Sequence, residues 1–212
     1  MPEKKYDKAR FVLGVDLDGV CADFIGGLRP IAAEWLGVPV LKLPEKVRYG
    51  FPEWKLKRAG NYDDLHRFAV TQRNLFRILR PIDGSAATLR RLSARNVRIR
   101  IITNRLYIKY FHQDAVKQTV EWLDEHGIPY WDLCLVRDKV AVGANLYIED
   151  SPDNIEKLLA DKHKTIIFTN STNTHLKGLR ADSWAEVERL VLKELAIWQT
   201  RAANKKKRLS GQ

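Results

Sequence analysis

Phe11-Val-Leu-Gly-Val15-Asp16-Leu17-Asp18-Gly19 sets a short apolar run directly before two carboxylates and a glycine. A run of this length, closed by a turn residue, reads as a buried strand that ends in a tight turn. A hydrophobic strand gains nothing in stability by ending on Asp16 and Asp18. Lying one residue apart at a strand end, the two carboxylates can aim into the same crevice. Gly19 lets the chain turn sharply behind them.

Similar apolar runs follow: Val97-Arg-Ile-Arg-Ile-Ile102 before Thr103, Leu133-Cys-Leu-Val136, Leu146-Tyr-Ile148 before Glu149-Asp150, and Thr165-Ile-Ile-Phe168. Helical patterns lie between them, over Ser85 to Arg95 and over Tyr110 to Glu125, the latter stopping at Gly127. A last helix opens on Ser183-Trp-Ala-Glu186, a capping box in which two side chains satisfy free backbone N–H groups. Alternating strands and helices predict an α/β fold, a Rossmann-like and mainly parallel sheet with helices on both faces. Residues 24–80 break the rhythm. They hold helical stretches (Leu28 to Leu36, Tyr62 to Thr71) and aromatics at Tyr49, Phe51 and Trp54, with no strand of the sheet type. The expected organisation is a core of residues 8–23 and 81–200, a helical cap of residues 24–80 over the strands' carboxyl ends, and a basic, disordered tail of residues 201–212.

The carboxylate pair suits phosphoryl transfer. Asp16 attacks phosphorus to give an aspartyl-phosphate, while Asp18 protonates the leaving oxygen and later takes a proton from water. A phosphate dianion approaches such a pair only where its charge is compensated, so a cation and a set of donors are required. Thr103 and Asn104 end the second strand and offer a hydroxyl and N–H groups; Lys139 supplies a point charge that also restrains Asp16. Asp150, after Glu149, gives a hard oxygen ligand suited to Mg²⁺, and Asp153 supports that loop. Taken singly each signal is weak; together all stand at or just beyond strand ends.

The order Asp16-Leu-Asp18-Gly-Val, Ile101-Ile-Thr103, Lys139 and Ile148-Glu-Asp150 resembles the four signature segments of the haloacid dehalogenase superfamily. That resemblance implies an aspartate nucleophile and Mg²⁺, held by the Asp16 and Asp150 carboxylates and the Asp18 backbone carbonyl. Asp18 itself implies phosphatase chemistry, since the dehalogenase members lack that aspartate. Within the superfamily, Asp16 to Phe24, Asn74-Leu-Phe-Arg-Ile-Leu-Arg-Pro81, Arg137-Asp-Lys139, Ile166-Ile-Phe-Thr169, His175-Leu176 and Ser183-Trp184-Ala185 resemble the 5′(3′)-deoxyribonucleotidases over residues 11–195. By that likeness the substrate is a small phosphorylated molecule, a nucleoside monophosphate, with Arg137 joining Lys139 at the phosphate and Phe24, Phe51 and Phe76 lining a pocket for base or sugar. The chain departs from that pattern at Glu149-Asp150, where two aspartates are usual, and at Thr103-Asn104-Arg105, where Thr-Ser is typical. Pro52 follows Phe51 where an aromatic would help to clamp a base. A broad-specificity or sugar-phosphate phosphatase is the neighbouring alternative.

Composition bounds these readings. The chain has 212 residues, 45% hydrophobic and 30% charged, enough for one substantial domain with its own core. No apolar run approaches the roughly 18 residues that span a bilayer, and the charged start is no signal peptide, so a cytoplasmic protein without a membrane partner is expected. Cys21 and Cys134 read as reduced thiols, and no role is assigned to any of the five histidines. The net charge is +11, but Arg201, Lys205, Lys206, Lys207 and Arg208 stand without an acid, leaving 32 basic against 26 acidic residues on residues 1–200. A reading of another class, nucleic-acid binding or end processing through that basic tail, follows from the charge; a homodimer is also compatible with the sequence.

Overall fold

The computed structural model describes residues 10–210 apart from Ala59, Ile108 and Tyr110. Met1 to Ala9, where the absence of a signal peptide was expected, and Gly211-Gln212 lie outside the described residues.

Five of six strands fall where the apolar runs predict: β1 (Val12–Val15), β2 (Arg98–Thr103), β3 (Asp132–Leu135), β4 (Leu146–Glu149) and β5 (Thr165–Phe168). The sixth, β6 (Leu179–Ala181), is three residues long with Leu179 exposed. It carries no apolar run to announce it and is placed by parallel pairing with β5. All strands are parallel, in the order β3-β2-β1-β4-β5-β6. Leu13 lies opposite Ile99 and Leu146, and Val15 opposite Ile101 and Ile148.

Strand alternation sorts side chains onto two faces. Leu13, Val15, Ile99, Ile101, Leu146, Ile148, Ile166 and Phe168 enter one large core. It also takes in Leu89 and Leu92 of α4 (Ser85–Ala94), Trp122 and Leu123 of α5 (His112–Glu125), and Val187 and Val191 of α7 (Trp184–Ser210). Ile102 and Tyr147 point the other way, into a smaller cluster with Leu158 of α6 (Pro152–Ala160). Gly14 sits between those two, where a Cβ would come 2.9 Å from the Ile102 Cδ1.

Residues 24–80 contain helices and turns: α1 (Phe24–Leu36), α2 (Tyr62–Arg73), α3 (Leu75–Ile78) and three short 3₁₀ turns. Helix α1 starts four residues before the expected Leu28, through Gly26, Gly27 and Pro30, because the Asp23 side chain caps it by accepting from the Gly26 N–H at 2.9 Å. The two connections to the rest of the chain are tied together. Ala22 and Pro81 form an antiparallel bridge, Asp23 N–H donates to Arg80 O at 2.9 Å, and Ile82 N–H donates to Cys21 O at 2.7 Å.

Two expectations are corrected. Residues 201–210, read as a disordered tail, continue α7 as helix to Ser210; Arg201 and the run after it follow Ala196, Ile197 and Trp198 without a Gly or Pro to stop the helix. The capping box at Ser183 is shifted by one residue at its return bond: Ser183 Oγ accepts from the Glu186 N–H, but Glu186 Oε2 accepts from the Asp182 N–H at 2.7 Å. Cys21 is buried and Cys134 half-buried, and both are free. No helix among the described residues is long and apolar enough to cross a membrane.

Candidate active site

The chain runs from β1 out to β2 and β3 on one side, then returns to place β4 on the other. This topological switch leaves a crevice at the carboxyl ends of β1, β2 and β4, where open α/β sheets take their ligands. Asp16, Thr103 and Asp150 stand at those ends. Asp16 is anchored by its own N–H, which donates to Ile148 O at 3.1 Å. After it the chain turns on itself, Leu17 O accepting from the Cys21 and Ala22 N–H groups at 2.8 Å. Gly19 has φ +82°, and a Cβ there would lie 1.9 Å from Asp150 Oδ2. Only a residue without a side chain lets the β1 and β4 carboxylates approach.

Lys139 Nζ lies 2.7 Å from both Asp16 Oδ1 and Glu149 Oε2, with its side chain 3% exposed. Glu149 Oε1 accepts in turn from Ser151 N–H and Asn154 Nδ2, each at 3.2 Å. Asp150 Oδ2 accepts from Asn170 Nδ2 at 2.7 Å, while Asn173 Nδ2 donates to Asp150 O and Phe168 O, both at 2.8 Å. Carboxylate oxygens of Asp16, Glu149 and Asp150 all lie within 4.8 Å of one another. Three formal negative charges thus face one ammonium. Burial, then the Glu149 charge, push the Asp16 carboxyl up to about 7 despite Lys139; burial and Asp16 push Asp150 well above the usual carboxylate range. Paired with the two carboxylates, Lys139 is raised above an ordinary lysine although burial opposes it. Close, hard oxygens with uncompensated charge fit a divalent cation such as Mg²⁺.

Of the expected ligand set, the Asp16 and Asp150 carboxylates stand together in this cluster, with Glu149 as its third carboxylate. The third expected ligand is the Asp18 backbone carbonyl; the Asp18 side chain is turned to Arg105. Arg105 Nη2 donates to Asp18 Oδ1 at 2.7 Å and Nε reaches both Asp18 oxygens at 3.1 and 3.2 Å. The Arg105 side chain is wholly buried, stacked 4.4 Å over Phe76 and 5.8 Å from Trp122. Neither Arg105 nor Asn170 was singled out from sequence. An arginine two residues past a strand end that also carries Thr103 was the available signal for the first; a lone Asn on a loop gave none for the second.

These groups open on one cavity of about 440 Å³. Asp16, Asp18, Thr103, Asn104, Arg137, Lys139 and Asp150 lie on its core side, and Phe24, Phe51 and Phe76 on its cap side, with Asp153 at its rim loop. Thr103 is 1% exposed, whereas Arg137 is open to solvent. Phe51, at φ 56°, is stacked 4.7 Å on Trp54 and 5.6 Å from Tyr62. Tyr62 and His66 of α2 and Tyr107 of the loop after β2 also line the cavity, three rings that sequence reading left out because they come together only once α2 is docked. The Tyr107 hydroxyl donates to Asp63 Oδ1 at 2.7 Å, joining the loop after β2 to the start of α2.

The parallel sheet in this strand order gives the chain the fold of haloacid dehalogenase-like hydrolases. Solved structures with this fold include a haloacid dehalogenase-like hydrolase of Xanthomonas campestris (TM-score 0.56, 15% identity, 91% of this chain and 95% of that one) and a hydrolase of the same superfamily from Geobacter sulfurreducens (TM-score 0.52, 16% identity, 86% and 100%). Residues 10–197 match the family described as 5′ nucleotidase, deoxy (pyrimidine), cytosolic type C protein, and the chain belongs to that family. A Chlorobaculum tepidum protein provisionally named a 5′(3′)-deoxyribonucleotidase is 57% identical over 180 residues, 85% of this chain and 89% of the relative. The human mitochondrial 5′(3′)-deoxyribonucleotidase is 30% identical over 190 residues, 84% of this chain and 80% of the relative.

Proposed function

We propose that this chain is a Mg²⁺-dependent phosphatase that dephosphorylates nucleoside monophosphates through an aspartyl-phosphate on Asp16. The observation that carries this reading is the position of the Asp16 carboxylate, held by Lys139 in a cavity whose opposite wall is aromatic. Lys139 occupies Asp16 Oδ1, leaving Oδ2 to form the bond to phosphorus as the ester P–O bond breaks. Asp18 gives its proton to the leaving oxygen; its Oδ2, which receives only the 3.1 Å contact from Arg105 Nε, is the oxygen free to carry it. Asp18 then takes a proton from water, which attacks phosphorus, releases inorganic phosphate and restores Asp16. The Asp16 and Asp150 carboxylates and the Asp18 backbone carbonyl, with Glu149 adjoining, would hold Mg²⁺, which when bound offsets the negative charge that otherwise repels the phosphate.

Thr103, Asn104, Lys139 and Arg137 receive the phosphate oxygens in this reading, and Phe24, Phe51 and Phe76 receive the base and sugar. The relatives named as deoxyribonucleotidases favour the nucleotide over a sugar phosphate as substrate. The test is phosphate release from nucleoside monophosphates, sugar phosphates and an aryl phosphate, with and without Mg²⁺. Highest kcat/KM on a nucleoside monophosphate, lost on chelation, supports the proposal; equal release after chelation, or a sugar phosphate as the best substrate, contradicts it.

A further inference from the structure

Among the rings that line the cavity is an imidazole that the catalytic steps leave unused. His66, in the second turn of α2, is 5% exposed. It lies edge-on to Phe76 at 5.6 Å and Tyr107 at 5.8 Å, and tilted against Tyr62 at 5.6 Å and Phe24 at 6.2 Å. Neither ring nitrogen is hydrogen-bonded to any described residue, and Nδ1 is sealed from solvent without a partner. If packing were the purpose of this position, an imidazole is a poor occupant, since a buried unpaired nitrogen costs free energy that a phenyl ring there would not. Burial pushes the His66 pKa down to about 4, against the upward pull of Asp18 and Asp63. At neutral pH the ring is therefore uncharged, with one N–H donor and one bare nitrogen acceptor.

A buried imidazole with an unfilled nitrogen inside an aromatic enclosure matches a ligand that is itself a flat ring with polar atoms in its plane. We propose that His66 is a specificity-determining residue whose imidazole hydrogen-bonds to the polar edge of a nucleobase seated among Phe24, Phe76 and Tyr62. The proposal rests on the nucleotide reading above and deepens it. Stacking alone admits any flat ring. A buried group that needs a hydrogen bond instead rejects a ring of the same shape that cannot supply one.

The test measures kcat/KM on thymidine 5′-monophosphate, on the deoxynucleotide carrying the shape mimic 2,4-difluorotoluene, and on 2-deoxyribose 5-phosphate, which has no base. The wild-type protein is expected to favour thymidine monophosphate over the mimic by about tenfold or more. His66→Phe is expected to collapse that ratio toward one through KM, and His66→Gln, which keeps a donor and an acceptor, to recover part of it. His66→Leu gives the same comparison should the Phe variant fail to fold. A ratio unchanged in His66→Phe or His66→Leu overturns the role of His66 while the nucleotide reading stands. An equal loss of kcat on all three substrates also overturns it, by marking His66 as structural. Wild-type activity on the base-free sugar phosphate that equals activity on thymidine monophosphate overturns the nucleotide reading itself, and this inference with it.

Discussion

Arg105 holds Asp18 from a wholly buried position, Nη2 to Oδ1 at 2.7 Å, while its guanidinium carbon lies over the Phe76 ring at 4.4 Å. One side chain therefore touches both the carboxylate proposed to move the proton and a wall of the cavity proposed to take the substrate. Arg105→Met should lower kcat by about tenfold to a hundredfold, the range of a misdirected acid–base group, and raise KM as Phe76 loses its support. It should also lower stability by about 2–3 kcal/mol, less than the usual cost of breaking a buried pair because Asp18 stays partly open to water. Arg105→Lys keeps the charge without the fork and should recover only part of kcat. Steady-state kinetics and chemical denaturation of both variants check this.

Metal and pH are linked through the Asp16 and Asp150 carboxyls. Both titrate above the ordinary carboxylate range, Asp16 at about 7, so the metal-free native state holds protons that the unfolded chain has already lost. Their contribution to stability is present at low pH and falls as pH rises, for Asp16 from about 4 through 7. His66 acts in the opposite sense: with its pKa lowered, its contribution is present above about 6.5 and lost as pH falls toward 4. Because Mg²⁺ binds the deprotonated carboxylates, the rise in Tm it causes should be larger at about pH 8 than at about pH 6, whatever the baseline set by His66. At a hundred times Kd the stabilisation is about 2.7 kcal/mol. Asp150→Asn should abolish the Mg²⁺-dependent rise, read by thermal melts at both pH values.

Lys139 and Arg137 both line the cavity, but they differ in burial. Lys139→Ala leaves Asp16 and Glu149 facing one another without their cation. It should cost roughly 3 kcal/mol or more of stability and about a hundredfold or more in kcat. Arg137, open to solvent, should cost less than about tenfold on truncation to alanine, mainly in KM, since an exposed charge is well screened. Comparable losses in kcat would reverse the two assignments.

Gly19 separates the two carboxylate-bearing strand ends. Gly19→Ala drives a Cβ into Asp150 Oδ2 and should remove the Mg²⁺-dependent rise in Tm together with most of kcat. Gly37→Ala is the control, since Gly37 shares a positive φ but has open space around it. It should cost only backbone strain of about 1 kcal/mol, with kcat unchanged.

Much of this arrangement is legible in the chain because every strand but β6 carries its own apolar run, and Asp16, Thr103 and Glu149-Asp150 follow theirs directly. Asp16, Thr103 and Asp150 could thus be placed on a common edge before any packing was known. What stayed hidden depends on contacts between distant segments. The role of Arg105 becomes visible only when β2 lies beside β1 and brings it to Asp18. Asn170 matters only because β5 pairs with β4 and sets it beside Asp150. His66 reads as one polar residue on an amphipathic helix until α2 docks and surrounds it with rings drawn from α1, α3 and the loop after β2. Strand β6 has no signal of its own and exists through its partner, and the helical continuation past Arg201 was masked by a charge run that reads as a solvated tail.

The account stands on Asp16 as the residue that becomes phosphorylated. Its most direct test is acid quench of the Mg²⁺-loaded protein during turnover of a ³²P-labelled nucleoside monophosphate, followed by peptide mapping. Label on the peptide containing Asp16, absent from Asp16→Asn, which also releases no phosphate, is the predicted result. Label on another residue, or phosphate release by Asp16→Asn at the wild-type rate, would contradict it.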